Sequence, residues 1–180
     1  IIPRDGLTSG TFNGGGIIQV KQTVRTSVFS ESISAHGTGS NNAIEVAITP
    51  TRSDSKVLIL ISLHGSSSYW GGVCCGSWQG FLVRGGSILV QGDADGSRPR
   101  CGFRMYGSAI YNTNHCGSYH YTFLDTGIST TSATTYKLVT AGESGTSYPV
   151  YLNRGVQDSN NNYNYRGRAI STITLMEIAA

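Results

Sequence analysis

The chain has 180 residues with 24 glycines, only 13% charged residues and a formal net charge of +3. That length fits one domain, or one domain on a short stem, and is enough to bury a core. So few charges exclude charged helical faces, and the scattered Lys and Arg form no basic block of the kind that binds nucleic acid. No apolar run approaches the roughly 20 residues that cross a bilayer, so no membrane span is expected. Beginning at Ile1 rather than Met, the sequence reads as a processed product or a piece of a longer chain, and a missing signal sequence carries no weight.

Residues 1–16 hold a Pro, the turn-like Asp5-Gly6 and a triple Gly, the composition of an N-terminal stem or linker. The domain proper is expected over 17–180. Ile17 to Val24 gives the first strand, with Ile18, Val20 and Val24 on one face and Gln19, Lys21 and Thr23 on the other. Arg25 to Asn42 reads as a broken strand and a loop. Ile44, Val46 and Ile48 alternate with Glu45 and Ala47, and Pro50 ends that strand. Lys56 to His64 is a near-continuous apolar strand expected to be buried on both faces. Gly65 to Gly80 reads as one flexible loop carrying both tryptophans.

Phe81 to Arg84 and Ile88 to Gln91 predict a hairpin around Gly85-Gly86-Ser87. Gly96 to Gly117 has no clear pattern. Tyr119, Tyr121 and Phe123 form an aromatic strand face opposite His120 and Thr122. Thr134 to Thr140 and Tyr148 to Asn153 predict a second hairpin, with Pro149 marking its strand as an edge. Asp158 to Arg168 is the most polar loop. It leads into the last strand, where Ile170, Thr172, Thr174, Met176 and Ile178 lie on one face and Ser171, Ile173, Leu175 and Glu177 on the other. Both faces carry apolar groups, as expected inside a two-sheet stack, or where one face meets the core and the other a neighbouring subunit. About ten short strands and no 3.6-residue apolar period predict an all-β domain, a β-sandwich of jelly-roll type.

The residues that could carry chemistry mostly have plainer readings. His36, His64, His115 and His120 read as surface or loop residues, because the spacing of His115 and His120 puts them on opposite strand faces and Cys116 completes no metal pattern. Asp93 and Asp95 resemble half of a calcium loop but lack its later carboxylate, so they read as a turn. No nucleophile elbow surrounds any Ser, and no Gly run has the Lys and helix of a phosphate cradle. No metal or cofactor is expected. Cys74, Cys75, Cys101 and Cys116 read either as disulfides stapling loops of an extracellular protein or as small buried thiols of a protein assembled in a reducing cell. The loop aromatics Tyr69, Trp70 and Trp78, and Tyr163 and Tyr165 with Arg166 among asparagines, suit binding of sugars or protein surfaces, or packing beneath their own loops.

Several stretches resemble phage structural sequences of marine and cyanobacterial viruses. They are Gly16-Ile17-Ile18-Gln19-Val20 through Thr23, Ala47-Ile48-Thr49-Pro50 with the turn into Ser55-Lys56-Val57-Leu58-Ile59, Gly80-Phe81-Leu82-Val83-Arg84-Gly85, Phe123-Leu124-Asp125 with Ser132-Ala133-Thr134-Thr135-Tyr136, and Arg166-Gly167 with the last strand. The resemblance spans residues 16–180 and rests on framework pieces. It implies the C-terminal domain of a tail-fibre or other virion appendage protein, forming a trimeric sandwich like those of the C1q and tumour-necrosis-factor group. It supplies no catalytic residues, and the Trp70 to Cys75 and Asn160 to Asn164 segments depart from its pattern. The expected role is a non-enzymatic virion protein, joined to other virion proteins through its stem, whose loops attach to a host-surface glycan or protein. The alternative is a decoration protein touching only virion neighbours. A glycan-active enzyme would need two carboxylates facing each other across a cleft.

Overall fold

The computed structural model describes residues 16–33, 42–67, 77–106, 116–142, 148–160 and 167–180. Of the expected stem, 1–16, residues 1–15 lie outside them. Among the described residues there are eleven strands and no helix, arranged as two antiparallel sheets stacked into a β-sandwich.

The first sheet is organised around β4 (Lys56–Ser67), whose alternate residues Val57, Ile59, Ile61 and Leu63 point into the core. Along one edge β4 pairs first with β11 (Ser171–Ile178), over Lys56 to Ser62, and then with β10 (Tyr148–Leu152), over Gly65 to Ser67. Its other edge pairs with β8 (Gly117–Asp125). β1 (Ile17–Arg25) lies outside β11, and β2 (Phe29–Ile33) lies outside β10. This change of partners along one long strand curls the sheet. The second sheet runs β3 (Ile44–Ile48), β9 (Thr134–Gly142), β5 (Ser77–Arg84), β6 (Ser87–Ile88), with β7 (Phe103–Tyr106) paired to the first half of β5.

The core lies between the sheets. Ile173 and Leu175 from β11, Tyr136 and Leu138 from β9, and Trp78 and Met105 from β5 and β7 are all fully buried there. The predicted alternation of Ile44 to Ile48 is present as three buried residues separated by two exposed ones. The predicted hairpin is also present, with Arg84 opposite Ser87 and only Gly85 and Gly86 in the turn, both at positive φ, as a two-residue primed turn requires.

Five expectations need correction. The Thr134 and Tyr148 segments do not form a hairpin, because β9 belongs to the second sheet and β10 to the first. Alternation within each segment cannot reveal that the chain changes sheets between them. β10 is no edge strand, since it sits between β4 and β2. Its ladder with β4 begins only at Val150, so Pro149 faces a paired partner, Ser32, on one side alone. β4 is buried on one face, while Leu58, Leu60 and Ser62 on the other are half-buried. The expected loop around Trp78 is instead the start of β5, and the patternless 96–117 stretch contains β7.

Candidate functional site

The sandwich has two unlike poles. At the Lys56 end of β4, Ile17 stands opposite Ile178 and the amide of Ala179 donates to the Gly16 carbonyl at 2.9 Å, so the first and last strands meet there. At the other end, Gly65 of β4 lies opposite both Gly117 and Leu152, while Trp78 of β5 lies opposite both Met105 and Gly142. The two sheets meet at this level, because a Cβ on Gly65 would stand 3.1 Å from the Trp78 ring and 2.9 Å from the Tyr151 carbonyl. The strand ends bordering segments 68–76, 107–115 and 143–147 therefore gather at one pole. Those segments are rich in Gly, Ser, Asn and Tyr.

Beside this pole a longer excursion, 154–168, is closed at its base by Asn153. That residue is fully buried and holds φ at 64°, a conformation that Asn tolerates because its short amide bonds locally. Its Nδ2 donates to the carbonyls of Arg25 and Ser27 at 2.8 and 2.9 Å, and its Oδ1 accepts from Ser171 Oγ at 2.7 Å. Its amide donates to the His64 carbonyl, and its own carbonyl accepts from Ala169. Through side chain and backbone together, this one residue at the end of β10 joins β1, β4 and β11.

The excursion is then clamped by charge. Asp158 accepts from Arg154 Nη1 and Arg168 Nη2, both at 2.5 Å, and the Arg154 guanidinium lies 4.0 Å from the Tyr151 ring centre. Burial opposes the charge on Asp158, but the hydrogen bonds from the two arginines outweigh it and hold this carboxyl below its usual range. The two arms of the excursion are fixed just outside residues 161–166.

Of the sequence-derived candidates, Tyr163, Tyr165 and Arg166 lie in 161–166, outside the described residues, as do Tyr69, Trp70, Cys74 and Cys75. Trp78 is 0% exposed in the core, so it is a packing residue and presents no ring to a ligand. Cys101 and Cys116 carry free thiols, and burial pushes both upward in pKa, with Arg104 partly offsetting this at Cys101. Neither forms a disulfide.

The remaining constellations carry no assembled chemistry. His64 Nδ1 meets Ser118 Oγ at 3.0 Å. Among the described residues, however, no group of three or more His, Cys, Asp or Glu is placed to hold a metal. Asp95 pairs with Arg98 on an exposed turn pinched shut where Gly92 donates to the Cys101 carbonyl. A shallow cleft of about 320 Å³ is lined by Thr23, Arg25, Ser27, Asn42 and Glu45. Arg25 already donates to the Ala43 and Val28 carbonyls.

Two features are absent from the sequence reading. Glu177 is 0% exposed yet has no cation partner among the described residues. Its carboxylate accepts from Gln19 Nε2 at 2.6 Å, Ser55 Oγ at 2.7 Å, the Thr51 amide at 2.8 Å and Thr51 Oγ1 at 2.9 Å. At the same pole, Asp125 accepts from Arg84 and from the Tyr136 hydroxyl, tying β8 of one sheet to β5 and β9 of the other. The hydroxyls of Thr51 and Ser55 were the available signal for the first, but which acid they would meet depended on folding. No family model matches the sequence, and no curated protein shows significant similarity to it.

Proposed function

We propose that this chain is a non-enzymatic virion domain, a trimeric jelly roll at the end of a tail fibre or other appendage, whose loops attach the particle to a host-surface glycan or protein. The observation that carries the reading is the polarity of the sandwich. The chain enters beside its last strand at one pole, where a stem would join the domain to other virion proteins. The Gly, Ser, Asn and Tyr-rich segments are bounded by strand ends at the opposite pole. Rigid strands that fix the ends of variable segments are a common way to build a recognition surface. The strand order, with β1, β11, β4 and β8 in one sheet and β3, β9 and β5 in the other, fits a jelly roll.

Within this reading the clamped excursion is the better binding element. Its base is held by Asn153 and Asp158, and the sequence between Asp158 and Arg168 includes Tyr163, Tyr165 and Arg166. Rings can stack on a sugar face while Asn and Arg donate to its hydroxyls. Replacing all three by Ala should leave folding and assembly intact and reduce binding to host-surface glycans by at least about tenfold, the loss expected of aromatic and Arg hot spots. Attachment unchanged in that variant would sink the assignment. Loss of particle assembly with attachment intact would favour the decoration role.

A further inference from the structure

Along one side of the sandwich the end strands of the two sheets, β1 and β3, stand against each other. The cleft of about 320 Å³ lies between the end of β1 and the entry to β3, and Thr26 belongs to its lining together with Thr23, Arg25, Ser27, Asn42 and Glu45. Its walls are braced from two directions. Arg25 Nη1 donates to the Ala43 carbonyl at 2.9 Å, tying the first sheet to the chain that enters β3, and Asn153 Nδ2 holds the carbonyls of Arg25 and Ser27. The other side chains of the lining take no part in this bracing. Thr26, Ser27, Asn42 and Glu45 are exposed, and Glu45, opposite Lys137 on β9, makes no ion pair or hydrogen bond among the described residues.

We propose that this cleft is a saccharide subsite that seats one neutral sugar ring. The inference rests on the attachment function proposed above and deepens it, adding a second place of contact and the class of sugar it takes. The lining presents hydroxyls that donate and accept, an amide that does both, and one carboxylate, which is the set of partners that a ring of neighbouring hydroxyls requires. A carboxylate without a cation can accept from two sugar hydroxyls at once, and such charge-assisted bonds are the strongest that a neutral polar ligand makes. Acidic sugars are disfavoured. The cation of the lining, Arg25, is already engaged through Nη1 and Nη2 with the Ala43 and Val28 carbonyls and has its Nε buried, while Glu45 repels a second carboxylate. The volume lies at the low end of the roughly 300–1,000 Å³ of small-ligand pockets, which suits a single ring with its substituents. With one carboxylate in its lining the cleft holds a sugar and does not cleave it, since glycoside hydrolysis takes an opposed pair. Asn153 also closes the base of the 154–168 excursion, so the cleft lies beside that base.

The test is titration of the isotopically labelled full chain with the methyl glycosides of glucose, galactose and mannose, and separately with glucuronate and sialate, each to about 50 millimolar to reach weak binding, followed by amide shifts in nuclear magnetic resonance spectra. At least one neutral glycoside should shift the amides of 23–27 and 42–45, and the two acids should not. Glu45→Ala, at an exposed position, should weaken that binding at least about tenfold at an unchanged Tm, as loss of a charged acceptor does. Ser27→Trp, which fills the cleft, should abolish it. If Ser27→Trp does not fold, Glu45→Ala alone decides. No shift with any neutral glycoside, shifts confined to other residues, a preference for glucuronate or sialate, or binding unchanged in Glu45→Ala would each overturn the subsite. The attachment reading is decided separately, by host-surface glycan binding of the variant with Tyr163, Tyr165 and Arg166 replaced by Ala, and it stands if that variant loses binding while the cleft variants do not.

Discussion

At Glu177, neutral donors hold a carboxylate ionised inside the protein, with no cation beside it among the described residues. Burial acts to raise its pKa, but hydrogen bonds from Gln19, Ser55 and Thr51 outweigh this and bring it down to about 2 from an ordinary 4.5. Because the folded value lies below the unfolded one, the stabilisation is complete above about pH 4.5 and drains away as pH falls toward 2, amounting to about 3 kcal/mol at neutral pH. Glu177→Gln should therefore lower stability at pH 7 by about 2–4 kcal/mol, since its amide would turn a donor toward donors. The variant and the wild type should converge on acidification. Urea unfolding at pH 7, 4 and 3 checks this, and a difference independent of pH would contradict it. Asn153 offers a second residue-scale prediction. Asn153→Gly keeps the φ of 64° but loses three side-chain hydrogen bonds, while Asn153→Ala loses them and adds backbone strain. Thermal unfolding should rank wild type above Gly above Ala, with the last step about 1 kcal/mol.

Among the elements, β7 depends most on a single contact. Gly80 on β5 lies opposite Phe103 on β7, and a Cβ there would stand 2.1 Å from the Phe103 ring. That ring is packed at 4.3 Å, centre to centre, on Tyr121 of β8, and Tyr121 in turn donates from its hydroxyl to the Arg104 carbonyl. Gly80→Ala should displace β7 from the sandwich, at a cost of about 2–3 kcal/mol, as overpacking of a filled core does. Hydrogen exchange should show amides of 103–105 losing protection while those of β4 and β11 keep it; uniform protection would count against this picture. These elements also mark what the sequence conveyed. Alternation located Ile44 to Ile48 and Tyr119 to Phe123, because each strand has one wet and one dry face. It missed Phe103 to Tyr106, since four residues give too few repeats, and misread Trp78, since Gly and Ser around an aromatic residue look the same in a loop as in a strand that another backbone approaches closely.

For the molecule as a whole, class was readable and connectivity was not. The two-faced apolar character of the last strand was correct, and it places one face in the core and the other on the open sheet surface. The exchange of β9 and β10 between sheets was hidden because pairing partners far apart in sequence leave no local periodicity. The ties that join the sheets were hidden for the same reason. At this scale Tyr136→Phe should cost about 1–2 kcal/mol, because Asp125 would lose the hydroxyl donor that binds it to the opposite sheet while keeping Arg84. Its effect should be a lower Tm with a single cooperative transition. A split transition would mean that the sheets melt separately.

The pairing of Ile17 with Ile178 and of Arg25 with Ser171 also bears on how the protein is made. β1 leaves the ribosome well before β11 and has to wait for that strand before its partner exists, and β4 waits for the same strand to fill most of one edge. Ladders that close only between distant segments form late and slowly. A chain released before β11 is made would expose two long strand edges, at Ile17–Arg25 and Lys56–Ser62, to every other nascent copy. Synthesis of this domain is therefore nearly all-or-nothing, with translation through β11 deciding between a closed sheet and an aggregate.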